Sequence, residues 1–166
     1  VIEEIRQRMP IKNRLFFTDD NFIANKQRAK QIIMMMRDEN LLPDNWWGTQ
    51  MRPEAAKDDE LLELMREIKT GLLYIGLESI NTNTLQEYDK KQTVEDVKMC
   101  VKKLPKYGID IFGMFVIGGD DDTKDTIRKT VDFCWKTDLY MPQFTSYTPL
   151  PGTRVNEEFE SEGRIL

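Results

Sequence analysis

Strand-like and helix-like hydrophobic patterns alternate along the whole chain, and this alternation restricts the fold more than any other feature. RLFFTD at 14–19 reads as a short strand. Asn25 then caps a helix whose apolar positions Ala29, Ile32, Ile33 and Met36 follow helical spacing. WWGTQM at 46–51 is a second strand, and Asp58 caps a helix with Leu61, Leu62, Leu64, Met65 and Ile68 on one side. LLYIGLE at 72–78 is the third strand. A helix near 94–106 follows, with Val94, Val97, Cys100, Val101 and Leu104 on one stripe. IDIFGMFVI at 109–117 precedes a helix whose stripe is Ile127, Val131, Cys134 and Trp135. QFTSYT at 143–148 is the fifth strand, followed by a Pro/Gly turn and a short helix near 154–162.

Strands alternating with helices give a parallel sheet, either doubly wound or bent into a barrel. The two-residue strand period separates the choices. Leu73, Ile75 and Leu77 form one aliphatic face, while Tyr74, Gly76 and Glu78 form the other. Trp46, Gly48, Gln50 and Arg52 share a face in the second strand, as do Gln143, Thr145 and Tyr147 in the fifth. Polar residues and glycines on one face predict a lumen holding something polar, whereas a doubly wound sheet is apolar on both faces. The expected fold class is α/β, a partial (β/α) barrel of parallel strands, as a single domain over residues 1–166.

Composition excludes several functions. With 24 basic and 29 acidic residues the net charge is −5, which argues against a large nucleic-acid surface. No histidine is present, so the commonest general base and metal ligand is missing. Cys100 and Cys134 are the two cysteines and fall on helical apolar stripes, as small buried hydrophobes do. No run approaches the length of a membrane span, and a reducing cytoplasm is expected. VIEEIRQRMP at the start reads as a helix already in progress.

Ligands of α/β folds lie at the C-terminal ends of the strands. Here those ends carry Asp19 and Asp20, Gln50 and Arg52, Glu78 and Ser79, Gly118-Gly119-Asp120, and TPLPGT at 148–153. Some have local explanations. Asp19 and Asp20 sit just ahead of a helix, where its dipole favours negative charge. Asp122 with Asp125 reads as an N-cap arrangement, and Gly118-Gly119 lacks the G-K-[ST] of a phosphate loop. Glu78 is different. An unpaired buried carboxylate costs several kcal/mol, so it must be paired, hydrated or facing a ligand. Gly76 clears space beside it, and Arg52 is the obvious protein partner. On the residues alone, two other readings stay open. One is a barrel enzyme using Asp19, Asp20 or Glu78 for acid–base or magnesium chemistry; the other is a non-catalytic barrel acting through protein contacts.

FFTDDN (16–21), WWGTQMRPEAAKDDELLELM (46–65), GLLYIGLESI (71–80), YGIDIFGMFVIGGDDD (107–122) and TPLPGT (148–153) together resemble the radical SAM superfamily. The likeness is greatest to the group often found behind a cobalamin-binding domain. It implies a partial (β/α)6 barrel that binds S-adenosylmethionine against a [4Fe-4S] cluster, with cobalamin as a possible further cofactor. It implies that the parent enzyme cleaves S-adenosylmethionine to a 5′-deoxyadenosyl radical. By position, Asp19 and Asp20 match the motif near the methionyl amino group, and Glu78 and Ser79 the strand that contacts the ribose and methionyl part. Gly113 closes an I-x-G core whose backbone lies along the adenine, although Val116 stands where a glutamate is often found. Thr148 and Pro149 match the sixth-strand end near the adenine. Gln50 and Arg52 complete the candidate cofactor-binding set.

One departure outweighs the rest: the family's Cys-x-x-x-Cys-x-x-Cys segment does not occur in these residues. The five strands are then expected to be the second to sixth of the family barrel. The chain alone is expected to hold no cluster, to be inactive and to bind S-adenosylmethionine weakly. The apolar strand at 14–19 would be an uncovered edge that favours self-association.

Overall fold

The computed structural model describes residues 1–88 and 91–165. Its elements run α1 (Ile2–Arg8), β1 (Arg14–Phe17), α2 (Lys26–Asp38), β2 (Trp46–Met51), α3 (Asp59–Glu67), β3 (Thr70–Glu78) and α4 (Thr82–Glu87). They continue with α5 (Val94–Lys103), β4 (Asp110–Ile117), α6 (Lys124–Trp135), β5 (Met141–Ser146) and α7 (Arg154–Ser161). All five strands are parallel and lie in one sheet in the order β1-β2-β3-β4-β5. Consecutive neighbours all joined in parallel are the pattern of a bent (β/α) barrel wall, as expected. The fifth strand occupies Met141–Ser146, two residues earlier than the hydrophobic pattern indicated. The fourth helix pattern ends at Lys103 and continues as a 3-10 turn from Leu104 to Tyr107.

Helix starts after α1 follow side-chain capping. Asn25 accepts from the Arg28 amide, Asp58 from Leu61, and Thr93 from Asp96, whose own carboxylate accepts from the Thr93 amide. Behind these caps, Ala29, Ile32, Ile33 and Met36 of α2 are buried. So are Leu61, Leu62, Leu64 and Met65 of α3, and Val97, Cys100 and Val101 of α5. They cover one face of the sheet, where Trp47, Leu73, Ile75, Leu77, Ile111 and Phe115 are fully buried. This is the core.

Two expectations change at α6. The acidic run does not cap this helix: Thr123 does, in a capping box with Thr126. Asp122 instead accepts from the Gly118 amide, and Thr84 Oγ1 donates to it. The inward face is also rotated. Thr130 is buried, and Phe133 and Cys134 pack on the core, while Trp135 is 84% exposed and Val131 also faces outward. Threonine is tolerated on the inner face because its hydroxyl returns to the helix; Thr130 Oγ1 donates to the Thr126 carbonyl at 3.0 Å. Burial pushes the Cys100 thiol up to about 12 and that of Cys134 up to about 11, so both stay protonated at neutral pH.

The open face has two zones. Its lower half is aromatic: Phe16 meets Tyr74 edge-on at 5.3 Å, Tyr74 stacks on Phe112 at 4.5 Å, and the Arg14 guanidinium sits over Trp46. Its upper half, at the C-terminal strand ends, is polar. The β2–β3 register shifts between Trp47 and Gly48, and a Cβ at Gly48 would strike the Leu72 carbonyl oxygen.

Gly48→Ala therefore lowers the unfolding free energy by about 2 kcal/mol, as forced overpacking does; urea denaturation measures it, and an unchanged midpoint contradicts the close approach. A second expectation concerns acid. Burial raises the Asp58 pKa, but the Lys30 ammonium at 2.8 Å and the Leu61 amide prevail and hold it below its ordinary value. A carboxyl with a depressed folded pKa stabilises the fold above its unfolded value and loses that contribution as pH falls through the folded one. Asp58→Asn keeps a capping oxygen and removes the charge. It should flatten the fall in stability below about pH 4 in acid titrations, and an acid limb identical to the parent's contradicts this.

Candidate functional site

A cleft of about 560 Å³ opens at the C-terminal ends of β2 and β3. Asp20, Gln50, Arg52, Gly76 and Glu78 line it, with Met114 from β4. The 3-10 turn Pro53–Lys57 contributes Glu54 and Lys57, the segment leading into α5 contributes Lys91 and Gln92, and the first turn of α5 contributes Asp96. Both signs of charge are present, and part of the wall is internally paired. Lys57 Nζ lies 2.6 Å from Asp96 Oδ1. Burial raises the Asp96 pKa, but Lys57 and the Thr93 capping contacts more than offset it and hold the carboxyl low, so it is ionised at neutral pH.

Glu78 is the structural focus. Strand β3 alternates as expected, with Leu73, Ile75 and Leu77 buried and Tyr74, Gly76 and Glu78 half-buried on the open side. The ladder with β4 then slips: Gly76 pairs with Met114 and Glu78 with the next residue, Phe115, which leaves Leu77 as the extra residue of a bulge. Glu78 has φ +60°, and the Ser79 amide donates to the Leu77 carbonyl at 2.8 Å. This is a tight three-residue turn around a non-glycine residue in left-handed space, a strained arrangement found most often at functional sites. It turns the Glu78 carboxylate back over Gly76. A Cβ at Gly76 would stand 2.8 Å from Glu78 Oε1. Gly76 thus clears room for the glutamate's own carboxylate as well as for the cleft.

The candidate residues divide. Asp20, Gln50, Arg52 and Glu78 come together in the cleft wall. Asp19 does not; it pairs with Arg28 at 3.6 Å and lines a second cavity of about 310 Å³ beside α1 and β1. Ser79 is buried and its Oγ accepts from the Asn81 amide at the start of α4. Gly113 faces the helices, where a Cβ would meet Leu77 Cδ1 at 2.8 Å. Thr148 is exposed and donates to the Ser146 carbonyl, and Pro149 follows it outside the cleft lining. The carboxylates Asp19, Asp20 and Glu78 therefore do not converge on one point. Among the described residues, no group of three or more His, Cys, Asp or Glu side chains could hold a metal ion. With two cysteines on separate helices, these residues do not fit an iron–sulfur cluster.

Several site residues carry no signal in the pattern of the sequence. Gln92, half-buried, donates from Nε2 to the carbonyls of Gly76 at 3.1 Å and Leu77 at 2.9 Å. Glu87 accepts from the amides of Asp120 at 2.8 Å and Asp121 at 3.2 Å, and the Tyr88 hydroxyl accepts from Gly119. The end of α4 is thereby fastened to the loop after β4. These polar contacts join residues 15 to 34 positions apart, so spacing could not reveal them.

The family model described as the radical SAM superfamily matches residues 1–134. An uncharacterised methyltransferase of Pyrococcus horikoshii is 33% identical over 141 residues, covering 85% of this chain and 30% of that protein. The bacteriochlorophyllide d C-12(1)-methyltransferase of Chlorobaculum tepidum is 28% identical over 154 residues, covering 92% and 33%. The chain thus spans about a third of the length of these relatives. Among solved structures, the radical S-adenosylmethionine methyltransferase TsrM of Kitasatospora setae, with cobalamin and a [4Fe-4S] cluster bound, superposes with a TM-score of 0.82. That match has 19% identity and covers 97% of this chain and 30% of the other, a likeness of fold. A barrel wall with its polar cleft at the strand ends, matched by the family model over most of its length, makes this chain a member of the radical SAM superfamily.

Proposed function

We propose that these residues form the S-adenosylmethionine-binding part of a radical SAM enzyme, with the cofactor seated in the cleft between Gln50–Arg52 and Gly76–Glu78. The observation that carries the reading is the Glu78 turn: a strained backbone holds one carboxylate at the mouth of a cleft of ligand size. S-adenosylmethionine presents an amino group, a carboxylate, a sulfonium and ribose hydroxyls. A cleft with Asp20 and Glu78 beside Arg52 and Lys91 offers partners to both signs. Gln50 adds a donor and an acceptor, and Met114 and Met51 an apolar patch.

When bound, the cofactor supplies the radical chemistry. The residues of this chain bind, orient and shield it. Cluster ligands then come from outside these 166 residues, whose two cysteines cannot provide them. The chain alone is accordingly inactive and binds S-adenosylmethionine weakly. Relatives named as methyltransferases support alkyl transfer as the reaction class, and the fold likeness to a cobalamin-bound enzyme supports cobalamin as a further cofactor. Two free thiols suit a reducing cytoplasm. No helix among the described residues is long and apolar enough to cross a membrane. The β1 edge, with Phe16 exposed, is where the isolated chain would self-associate.

In the intact protein, Glu78→Gln should weaken S-adenosylmethionine binding roughly tenfold by equilibrium dialysis, the scale of losing one charge-assisted contact. An affinity equal to that of the parent counts against the reading. Sedimentation of the isolated chain at micromolar concentration should show dimers or larger species, and a monomer contradicts the role given to β1.

A further inference from the structure

One side chain bridges the β3 bulge. Where the register slips between Gly76 and Glu78, the extra residue loses its regular place in the ladder. Carbonyl groups left without partners there would be costly in a half-buried wall. Gln92 Nε2 reaches both, the Gly76 carbonyl at 3.1 Å and the Leu77 carbonyl at 2.9 Å. Both acceptors are carbonyl oxygens, so the amide must present its NH2 group, and that orientation is forced. The Leu77 carbonyl is the same atom that accepts from the Ser79 amide to close the turn around Glu78. Gln92 stands two residues ahead of α5, whose start is fixed by the Thr93–Asp96 capping box. The side chain is therefore anchored from behind and reaches forward across the cleft wall.

We propose that Gln92 is a positioning residue: by bridging the Gly76 and Leu77 carbonyls it holds the strained turn that aims Glu78 into the cleft. The inference deepens the cofactor-binding reading and rests on it for the identity of the ligand, but not for the mechanical role. Gln92→Glu is the informative change. It preserves shape and removes the NH2 donor, and its carboxylate faces two carbonyl oxygens. Glu78 would then lose its fixed direction while the core behind β3 stays packed.

Two readouts in the intact protein test this. The first is hydrogen exchange of the Ser79 amide, which closes the turn. Gln92→Glu should speed it at least about tenfold, the effect of losing a hydrogen bond of ordinary strength. The thermal midpoint should stay close to that of the parent, and amides of Leu73 and Ile75 should exchange as before. Unchanged Ser79 exchange overturns the proposal, and so does equal acceleration throughout β3, which would mean a merely structural role. The second is a cycle of S-adenosylmethionine affinities for Gln92→Glu, Glu78→Gln and the double variant. A residue acting through Glu78 gives a double variant no weaker than the weaker single one; additive losses overturn the proposal. If the parent binds no S-adenosylmethionine, the cofactor reading fails, while Ser79 exchange still decides the role of Gln92.

Discussion

Strand β3 has to satisfy two environments at once, and the rest of the molecule is arranged around that constraint. Leu73, Ile75 and Leu77 are sealed beneath the helices, while Tyr74, Gly76 and Glu78 face the open side. Three fully buried aliphatic side chains contribute roughly 6 kcal/mol by transfer scales, an upper figure because unfolded chains already hide some surface. A non-glycine residue forced to positive φ costs of order 1–3 kcal/mol. The sealed face therefore outweighs the strained turn. That excess is what lets the strand end on a carboxylate held in an unfavourable backbone state.

The same division organises the surrounding elements. Neighbouring strands repeat an apolar helix side and an open side whose aromatic lower half supports a polar rim. The rim is tied down by side chains that satisfy backbone groups. Lys103 donates to the Ala56 carbonyl beneath the 3-10 turn, Gln92 bridges the β3 bulge, and Glu87 occupies the amides after β4. Lys57 and Asp96 neutralise one another across the cleft wall. Arg52, Lys91, Asp20 and Glu78 complete a lining of mixed charge. A site with both signs suits a zwitterionic ligand better than a purely anionic one.

Periodicity carried most of the fold. Helix stripes on α2, α3 and α5 and the two faces of β3 are local properties, because each depends only on spacing within one element. α6 departs because burial there depends on its place in the sheet. Its inward side is set by tertiary packing: Phe133 and Cys134 meet the core while Trp135 stays 84% exposed. Its inner face includes Thr130, which a hydrophobic pattern does not count. At the cleft, Gln50, Arg52 and Glu78 were legible because strand ends and strand alternation place them there. Asp19 and Asp20 are adjacent in sequence, yet they open onto different cavities. Gln92 and Glu87 were invisible because their roles depend on a bulge and a loop built by distant segments.

In the proposed function, the strained Glu78 turn marks where the cofactor sits. A crystal structure of the intact protein with S-adenosylmethionine tests it most directly. The ligand is expected in the cleft bounded by Gln50, Arg52, Gly76 and Glu78, with the Glu78 carboxylate hydrogen-bonded to it and the positive φ retained. A ligand bound elsewhere, or a Glu78 turn that relaxes to extended backbone in the complex, contradicts it.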